Sequence, residues 1–191
     1  ADSDAYKRQA QTGALVIRYR AYFVRRLQEA APAVHRDFSG GREELSLTYQ
    51  TVSSVSDPTA APQKILEQLR DHQERHRQAE LDSRQCLSGP HKDDLLVELD
   101  GRSAKTYGSQ GQTRTAALSL KLAQRDIFFQ ETGEYPVLLL DDVLSELDAR
   151  RQAFVLNHIQ GGQIFITCCE EEKLEGLEGG AAFHIHGGAL V

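Results

Sequence analysis

Two adjacent carboxylates, Asp141 and Asp142, follow the apolar run Val137-Leu138-Leu139-Leu140, and these are the residues best suited to chemistry. A carboxylate at the carboxyl end of a buried strand can hold Mg²⁺, directly or through water, while its neighbour orients or deprotonates an attacking water. Four apolar residues bounded by Pro136 and the two acids read as a short strand covered on both faces of a sheet. Open α/β sheets gather their ligands at that end. Taken alone, a buried strand running into a solvated acidic turn fits the same residues. A second stretch, Ser109-Gln110-Gly111-Gln112, stands on a loop just before a helical pattern. A serine hydroxyl, a glycine that lets backbone approach closely, and free N–H groups at a helix amino end suit a phosphate. They suit an ordinary helix cap as well.

The elements that must position these residues follow from periodicity. Residues 1 to about 9 carry no apolar period, and no element is assigned to them. From Thr12 on, Leu15, Tyr19, Tyr22, Phe23, Leu27, Ala30 and Val34 put one apolar face on a long helix. Pro32 should kink or interrupt it, and Gly40-Gly41 should end it. Leu45, Leu47 and Tyr49 alternate as in a half-buried strand, and residues 57–62 form a loop. Ile65, Leu66, Leu69, His72, His76, Ala79 and Glu80 then mark a helix at the edge of its domain. His72 and His76 share a face, but without an H-E-x-x-H pattern they read as partly exposed helix histidines. Leu95, Val97 and Leu99 alternate before a tight turn at Asp100-Gly101, with residues 104–107 returning as the second strand. Residues 113–131 predict a helix with Ala116, Leu120, Ala123 and Ile127 along one face and Leu118 and Leu122 beside it.

After the opening strand, Ser145-Glu146-Leu147-Asp148 leads into a helix reaching about Gln160. Its packing face is Phe154, Val155, His158 and Ile159, and Gly161-Gly162 stops it. Ile164-Phe165-Ile166-Thr167 completes a strand, helix, strand order expected of a parallel βαβ unit. A short acidic helix over 170–177 and a strand at Phe183 and Ile185 are expected to finish the chain.

Composition bounds the function. With 191 residues, 40% of them hydrophobic and 26% charged, the chain can bury one good core or two small ones. No apolar run exceeds four residues, so nothing is expected to span a bilayer, and no secretory leader is recognisable. A cytoplasmic protein is the expectation. Cys86, Cys168 and Cys169 lack the paired spacing of a zinc site and read as reduced thiols. A net charge of −6 argues against binding nucleic acid merely by being basic. Yet Arg18, Arg20, Arg25, Arg26 and Arg36 cluster early and acids late, which permits a local surface for a polyanion.

The order of loop, helix, apolar strand, paired acids and Ser145-Glu146-Leu147-Asp148 resembles that of the ATP-binding-cassette superfamily: signature loop, signature helix, Walker B strand, catalytic carboxylate and D-loop. Three segments narrow the resemblance. They are Gly89-Pro90-His91-Lys92-Asp93-Asp94-Leu95, then Ser109-Gln110-Gly111-Gln112-Thr113-Arg114-Thr115-Ala116-Ala117-Leu118, then Leu138-Leu139-Leu140-Asp141-Asp142-Val143-Leu144-Ser145-Glu146-Leu147-Asp148. Together they closely resemble the RecF family of bacterial recombination mediators, as do Ser39-Gly40-Gly41-Arg42-Glu43-Glu44-Leu45 and the terminal Phe183-His184-Ile185 with Gly187-Gly188. The resemblance covers nearly everything after residue 12.

It implies an α/β chain, the carboxyl-terminal half of an ABC-type ATPase head of the SMC and RecF kind. Residues 1–133 would form a signature lobe of helices and antiparallel strands, and residues 134–191 the second half of a nucleotide-binding lobe. Asp141 would hold Mg²⁺ on ATP and Asp142 would polarise the water. Ser109, Gln110, Gly111 and Gln112 would meet the γ-phosphate of ATP bound to a second subunit, with Ser145 and Asp148 lining the dimer seam. Partners would be DNA with a single-strand to double-strand junction, a second copy of the chain, and a RecR-like mediator. Arg18, Arg25, Lys92 and Arg114 are the candidate DNA contacts.

Two departures matter. No G-x-x-x-x-G-K-[ST] loop and no Gly-Lys dipeptide occur, so these residues alone are expected to bind ATP poorly and hydrolyse it negligibly. Thr167-Cys168-Cys169 stands where many cassette ATPases carry a switch histidine, so any γ-phosphate sensing there would fall to Thr167 or be absent. Rival readings are another cassette ATPase, of chromosome-structure or transporter type, and a non-enzymatic interaction module.

Overall fold

The computed structural model describes residues 2–170 and 180–191. Its contacts divide the chain into compact units Ala1–Ile127 and Phe128–Val191, a boundary that falls within a helix. The expected acidic helix over 170–177 lies almost wholly outside the described residues.

In the first unit a 38-residue helix, α1 (Asp2–Ser39), runs unbroken through Pro32. The helix therefore begins ahead of Thr12, and Pro32 does not interrupt it. Residues 2–9 are helical because tertiary contacts hold them: the Tyr6 hydroxyl donates to Glu80, and Gln9 Nε2 donates to Cys86 Sγ and the Ser88 carbonyl. Gly40 and Gly41, at φ +69° and +73°, do end the helix. The buried face is as expected at Leu27 and Val34 and a correction elsewhere. Ala10, Ala14, Ile17, Ala21, Leu27, Ala31, Val34 and Phe38 turn inward, while Leu15, Tyr19, Tyr22 and Phe23 stay exposed. Small alanines let the second helix approach closely, so the larger aromatic stripe is left outside. That second helix, α2 (Pro62–Ser83), joins Ile65, Leu66 and Leu69 to Ala10, Ala14, Ile17, Val52 and Val55 in one core.

Strand β1 (Leu45–Gln50) pairs antiparallel with β2 (Asp94–Leu99), placing Leu45 opposite Leu99 and Leu47 opposite Val97. Asp100 and Gly101 both have positive φ, +51° and +72°, as a two-residue hairpin turn of the primed kind requires. The return strand β3 is only Arg102–Ser103. Residues 104–107, expected as strand, form the single helical turn α3 (Ala104–Tyr107) instead, which swings the chain into the long helix α4 (Gln110–Thr132). Gly108 sits at this junction. A Cβ there would lie 2.5 Å from the Ala104 carbonyl oxygen, so only glycine fits.

Helix α2 is better anchored than an edge helix with exposed histidines. His72 is buried, its Nδ1 2.6 Å from Ser88 Oγ, and its ring stacks on His76 at 4.0 Å. Burial first, then the neighbouring His76 and Arg75, lower its pKa.

The second unit contains the expected βαβ order. Strand β4 (Leu138–Asp141) lies parallel to β5 (Ile164–Thr167), with α5 (Ala149–His158) between them in sequence. Leu140, Val155, Leu156 and Ile159 are buried. Cover on both faces of β4 is not found, however: Leu139 is 70% exposed and its register partner Phe165 52%. Side chains alternate along a strand, so Leu139 and Asp141 share the open face, as do Phe165 and Thr167. Near the end, β6 (Ile185–His186) and β7 (Ala189–Leu190) form a small exposed hairpin around Gly187-Gly188, with Phe183 outside it.

Candidate functional site

The carboxyl ends of β4 and β5 bring Asp141 opposite Thr167. The Thr167 hydroxyl donates to Asp141 Oδ1 at 2.5 Å and accepts from the Asp142 backbone N–H at 3.0 Å. One hydroxyl therefore spends its proton on the first acid and a lone pair on the backbone of the second. Both aspartates are exposed. Asp142 leaves the strand at φ +50°, a left-handed conformation that a short polar side chain tolerates by bonding locally. Here Ser145 Oγ lies 2.7 Å from both Asp142 O and Asp142 Oδ1.

The turn that follows is fixed from below and behind. Leu144 is fully buried, and Gln152 Nε2 donates to the carbonyls of Leu144 and Leu147 at 2.7 and 3.0 Å. Asp148 caps α5: its Oδ1 accepts the Arg151 N–H at 2.9 Å, and its Oδ2 pairs with Arg151 Nη1 at 3.1 Å. Ser145 thus shapes the acid pair, and Asp148 starts the helix behind it.

These donors fit Mg²⁺. Among the described residues no three histidine, cysteine or carboxylate side chains form a ready-made cage. Mg²⁺ uses one or two carboxylates and completes its shell with water and substrate phosphate, which an exposed Asp141 beside Asp142 permits.

In the first unit, Ser109 and Gln112 make a reciprocal capping box. The Ser109 N–H donates to Gln112 Oε1 at 2.9 Å, and the Gln112 N–H donates to Ser109 Oγ at 3.2 Å. Gln110, Gly111 and Gln112 are thus the first turn of α4 rather than a loop before it. The other end of the Gln112 amide is occupied too, since Nε2 donates to Glu43 Oε1 at 3.1 Å. Ser109, Gln110 and Gly111 are exposed and Gln112 is half-buried. The groups left to meet a phosphate are the Ser109 hydroxyl proton and the N–H groups of Gln110 and Gly111, where the helix dipole also favours an anion. Gln112 is a brace. The S-x-x-Q spacing makes half of that legible in sequence, but Glu43 is 69 residues away and carries no local signal.

Of the candidate DNA contacts, Arg18 and Arg25 both stand over the Tyr22 ring, 5.3 and 4.7 Å from its centroid. Leu15, Arg18, Tyr19 and Tyr22 line a shallow hollow on α1. Lys92 is exposed on the single turn Pro90–Lys92. Asp93 holds that turn, with a side chain 2% exposed: Arg20 Nη1 pairs with its Oδ2 at 3.0 Å and Thr51 Oγ1 donates to Oδ1 at 2.7 Å. Tyr49 donates to the same carboxylate, and its burial and that bond raise its pKa well above the usual tyrosine range. Arg114 stands exposed one turn further along α4 than Gln110.

No protein-family model matches the chain. The DNA replication and repair protein RecF of Bacillus subtilis (strain 168) is 45% identical over 184 residues, which is 95% of this chain and 50% of that protein. The protein of the same name from Clostridium tetani (strain Massachusetts / E88) is 39% identical over 166 residues, 87% of this chain and 45% of its own length. The chain spans about half the length of the curated relatives it matches. Among solved structures, the recombination mediator protein RecF-ATPrS in the RecFOR pathway superposes with a TM-score of 0.81 at 34% identity, over 96% of this chain and 48% of that one. The corresponding RecF-ATP structure gives 0.80 at 33%, over 97% and 48%.

Proposed function

The chain belongs to the RecF family over about half the length of its members, and we propose that it carries two half-sites of an ATP-dependent DNA-binding recombination mediator. Its relatives are named for DNA replication and repair, and those solved with ATP and ATPrS are titled recombination mediators. In this reading Asp141 holds Mg²⁺ on ATP and Asp142 polarises the attacking water. Ser109, Gln110 and Gly111 offer donors to the γ-phosphate of ATP on a second copy, with Gln112 bracing them. Ser145 and Asp148 border the seam between copies. ATP then acts as a clamp that favours the closed dimer on DNA, because occupancy adds contacts the open state lacks. Hydrolysis removes them. The cytoplasmic role is recombinase loading at single-strand gaps and restart of stalled forks, with a RecR-like protein as mediator and Arg18, Arg25, Lys92 and Arg114 as DNA contacts.

The observation that carries this reading is the Asp141, Thr167 and Asp142 arrangement at the carboxyl end of a parallel strand pair. Asn tolerates the left-handed conformation of Asp142, so Asp142→Asn removes charge without disturbing backbone. In a full-length RecF-family protein carrying these residues, ATP turnover should fall at least about 100-fold, the scale of losing a positioned base, while ATP-dependent dimers persist. Unchanged turnover in a steady-state phosphate-release assay would favour the non-enzymatic reading.

A further inference from the structure

Behind the capping box runs a chain of polar side chains that the proposed chemistry does not use. Gln112 Nε2 donates to Glu43 Oε1, and Glu43 Oε2 lies 3.2 Å from His35 Nε2. His35 Nδ1 lies 3.1 Å from Ser119 Oγ, whose proton goes to the Thr115 carbonyl at 2.8 Å. His35, Ser119 and Thr115 are completely buried.

His35 Nε2 faces the Glu43 carboxylate and its Nδ1 faces the Ser119 hydroxyl, so His35 and Glu43 form a bridging pair. The pair stitches the last turns of α1 to two levels of α4, the first turn through Gln112 and a point two turns further through Ser119. Turning the Gln112 amide over would break its bonds to Ser109 and Glu43 together. Burying such groups gains little stability over a well-packed apolar core, and its attested use is to select one geometry.

We infer that Glu43, backed by His35, is a positioning residue for the phosphate-facing turn: it fixes the Gln112 amide, which fixes the Ser109 N–H and with it the donors of Ser109, Gln110 and Gly111. This rests on the proposed role of residues 109–112, and the experiment separates the two. In the 191-residue chain, Glu43→Ala should change the ¹⁵N–¹H positions of the Gln112 side-chain amide and the Ser109 backbone, and speed amide exchange at Gln110 and Gly111, with helix content retained. Unmoved signals at these residues overturn the inference whatever the turn does. In a full-length RecF-family protein carrying these residues, Gln112→Ala and Glu43→Ala should each raise the ATP concentration for half-maximal dimerisation about tenfold, the scale of a hydrogen bond to a charged group. The double variant should be no worse than either single one, and Glu43→Gln, whose oxygen still accepts from Gln112 while its amide N–H can donate to a neutral His35 Nε2, should stay near the parent. Independent, multiplying effects overturn the inference while leaving the turn's role intact. If Gln112→Ala leaves ATP-dependent dimerisation unchanged, this inference fails; if Ser109→Ala leaves it unchanged as well, the reading of residues 109–112 fails with it.

Discussion

At the scale of single residues, Thr167 holds the acid pair in place. Its one hydroxyl serves Asp141 as donor and the Asp142 N–H as acceptor. Val has the same shape and an equal fitness for a strand, so Thr167→Val isolates the hydroxyl. We expect a loss of about 1 kcal/mol for these partly solvated bonds, measured by urea unfolding followed through the second unit. Thr167→Ser should lose little. The residue stands where many cassette ATPases carry a switch histidine, and its hydroxyl ties the two acids to the neighbouring strand. The same scale explains why Asp148, marked for a dimer seam from sequence, reads in the structure as the amino cap of α5. A cap and a seam residue are compatible, because its carboxylate is exposed.

At the scale of elements, the amino end of α1 is fastened by the Tyr6 bond to Glu80 and by the Leu87 N–H donating to the same carboxylate. Burial pushes the Glu80 pKa up, but the Tyr6 hydroxyl and the N–H groups of Leu87 and Ser88 outweigh it, so the net direction is down. The bond to Glu80, aided by burial, pushes Tyr6 up to about 12. A carboxyl lowered on folding contributes stability above its unfolded value near 4.3 that is lost as pH falls through the folded one. A phenol raised on folding contributes stability below pH 10 that is lost as pH rises through about 12. Tyr6→Phe should therefore cost about 1 kcal/mol near neutrality, with thermal melts converging on the parent in acid and again in strong alkali. A constant offset at every pH would count against this linkage.

These contacts also mark what sequence could and could not reveal. Strands β1, β2, β4 and β5, helices α2, α4 and α5, and the glycine stops follow from local periodicity and turn chemistry. Residues 2–9 have no period, and only partners some 75 positions away make them helical. On α1, Leu27 and Val34 turn inward as the pattern predicts, but Leu15, Tyr19, Tyr22 and Phe23 do not, because large aromatics outweigh alanines in a hydrophobic pattern whereas close helix approach favours the alanines. At the candidate site, the acids, the serine cap and the glycine were legible by type and spacing. Glu43 and His35 were not, since their roles exist only once α1 and α4 are side by side.

At the scale of the whole chain, the sheet that carries Asp141 has two strands among the described residues and an exposed face bearing Leu139 and Phe165. No Gly-Lys phosphate loop accompanies it in these 191 residues. The chain by itself should therefore show no micromolar ATP binding in a radiolabelled-nucleotide filter assay, and retention at that level would contradict the half-site reading. One further consequence concerns substitution scans of a full-length RecF-family protein carrying these residues. Three non-glycine residues have positive φ among those described: Arg84, Asp100 and Asp142. Most side chains are disfavoured at such positions for steric reasons, so intolerance at Asp142 would be ambiguous by itself. Asp100 supplies an internal control, being an aspartate at φ +51° in a hairpin turn, with Oδ1 accepting the Glu44 N–H at 2.9 Å. Asparagine satisfies the backbone at both sites, so a scan scored separately for folding and for nucleotide turnover would accept it at Asp100 on both counts and at Asp142 on the first alone.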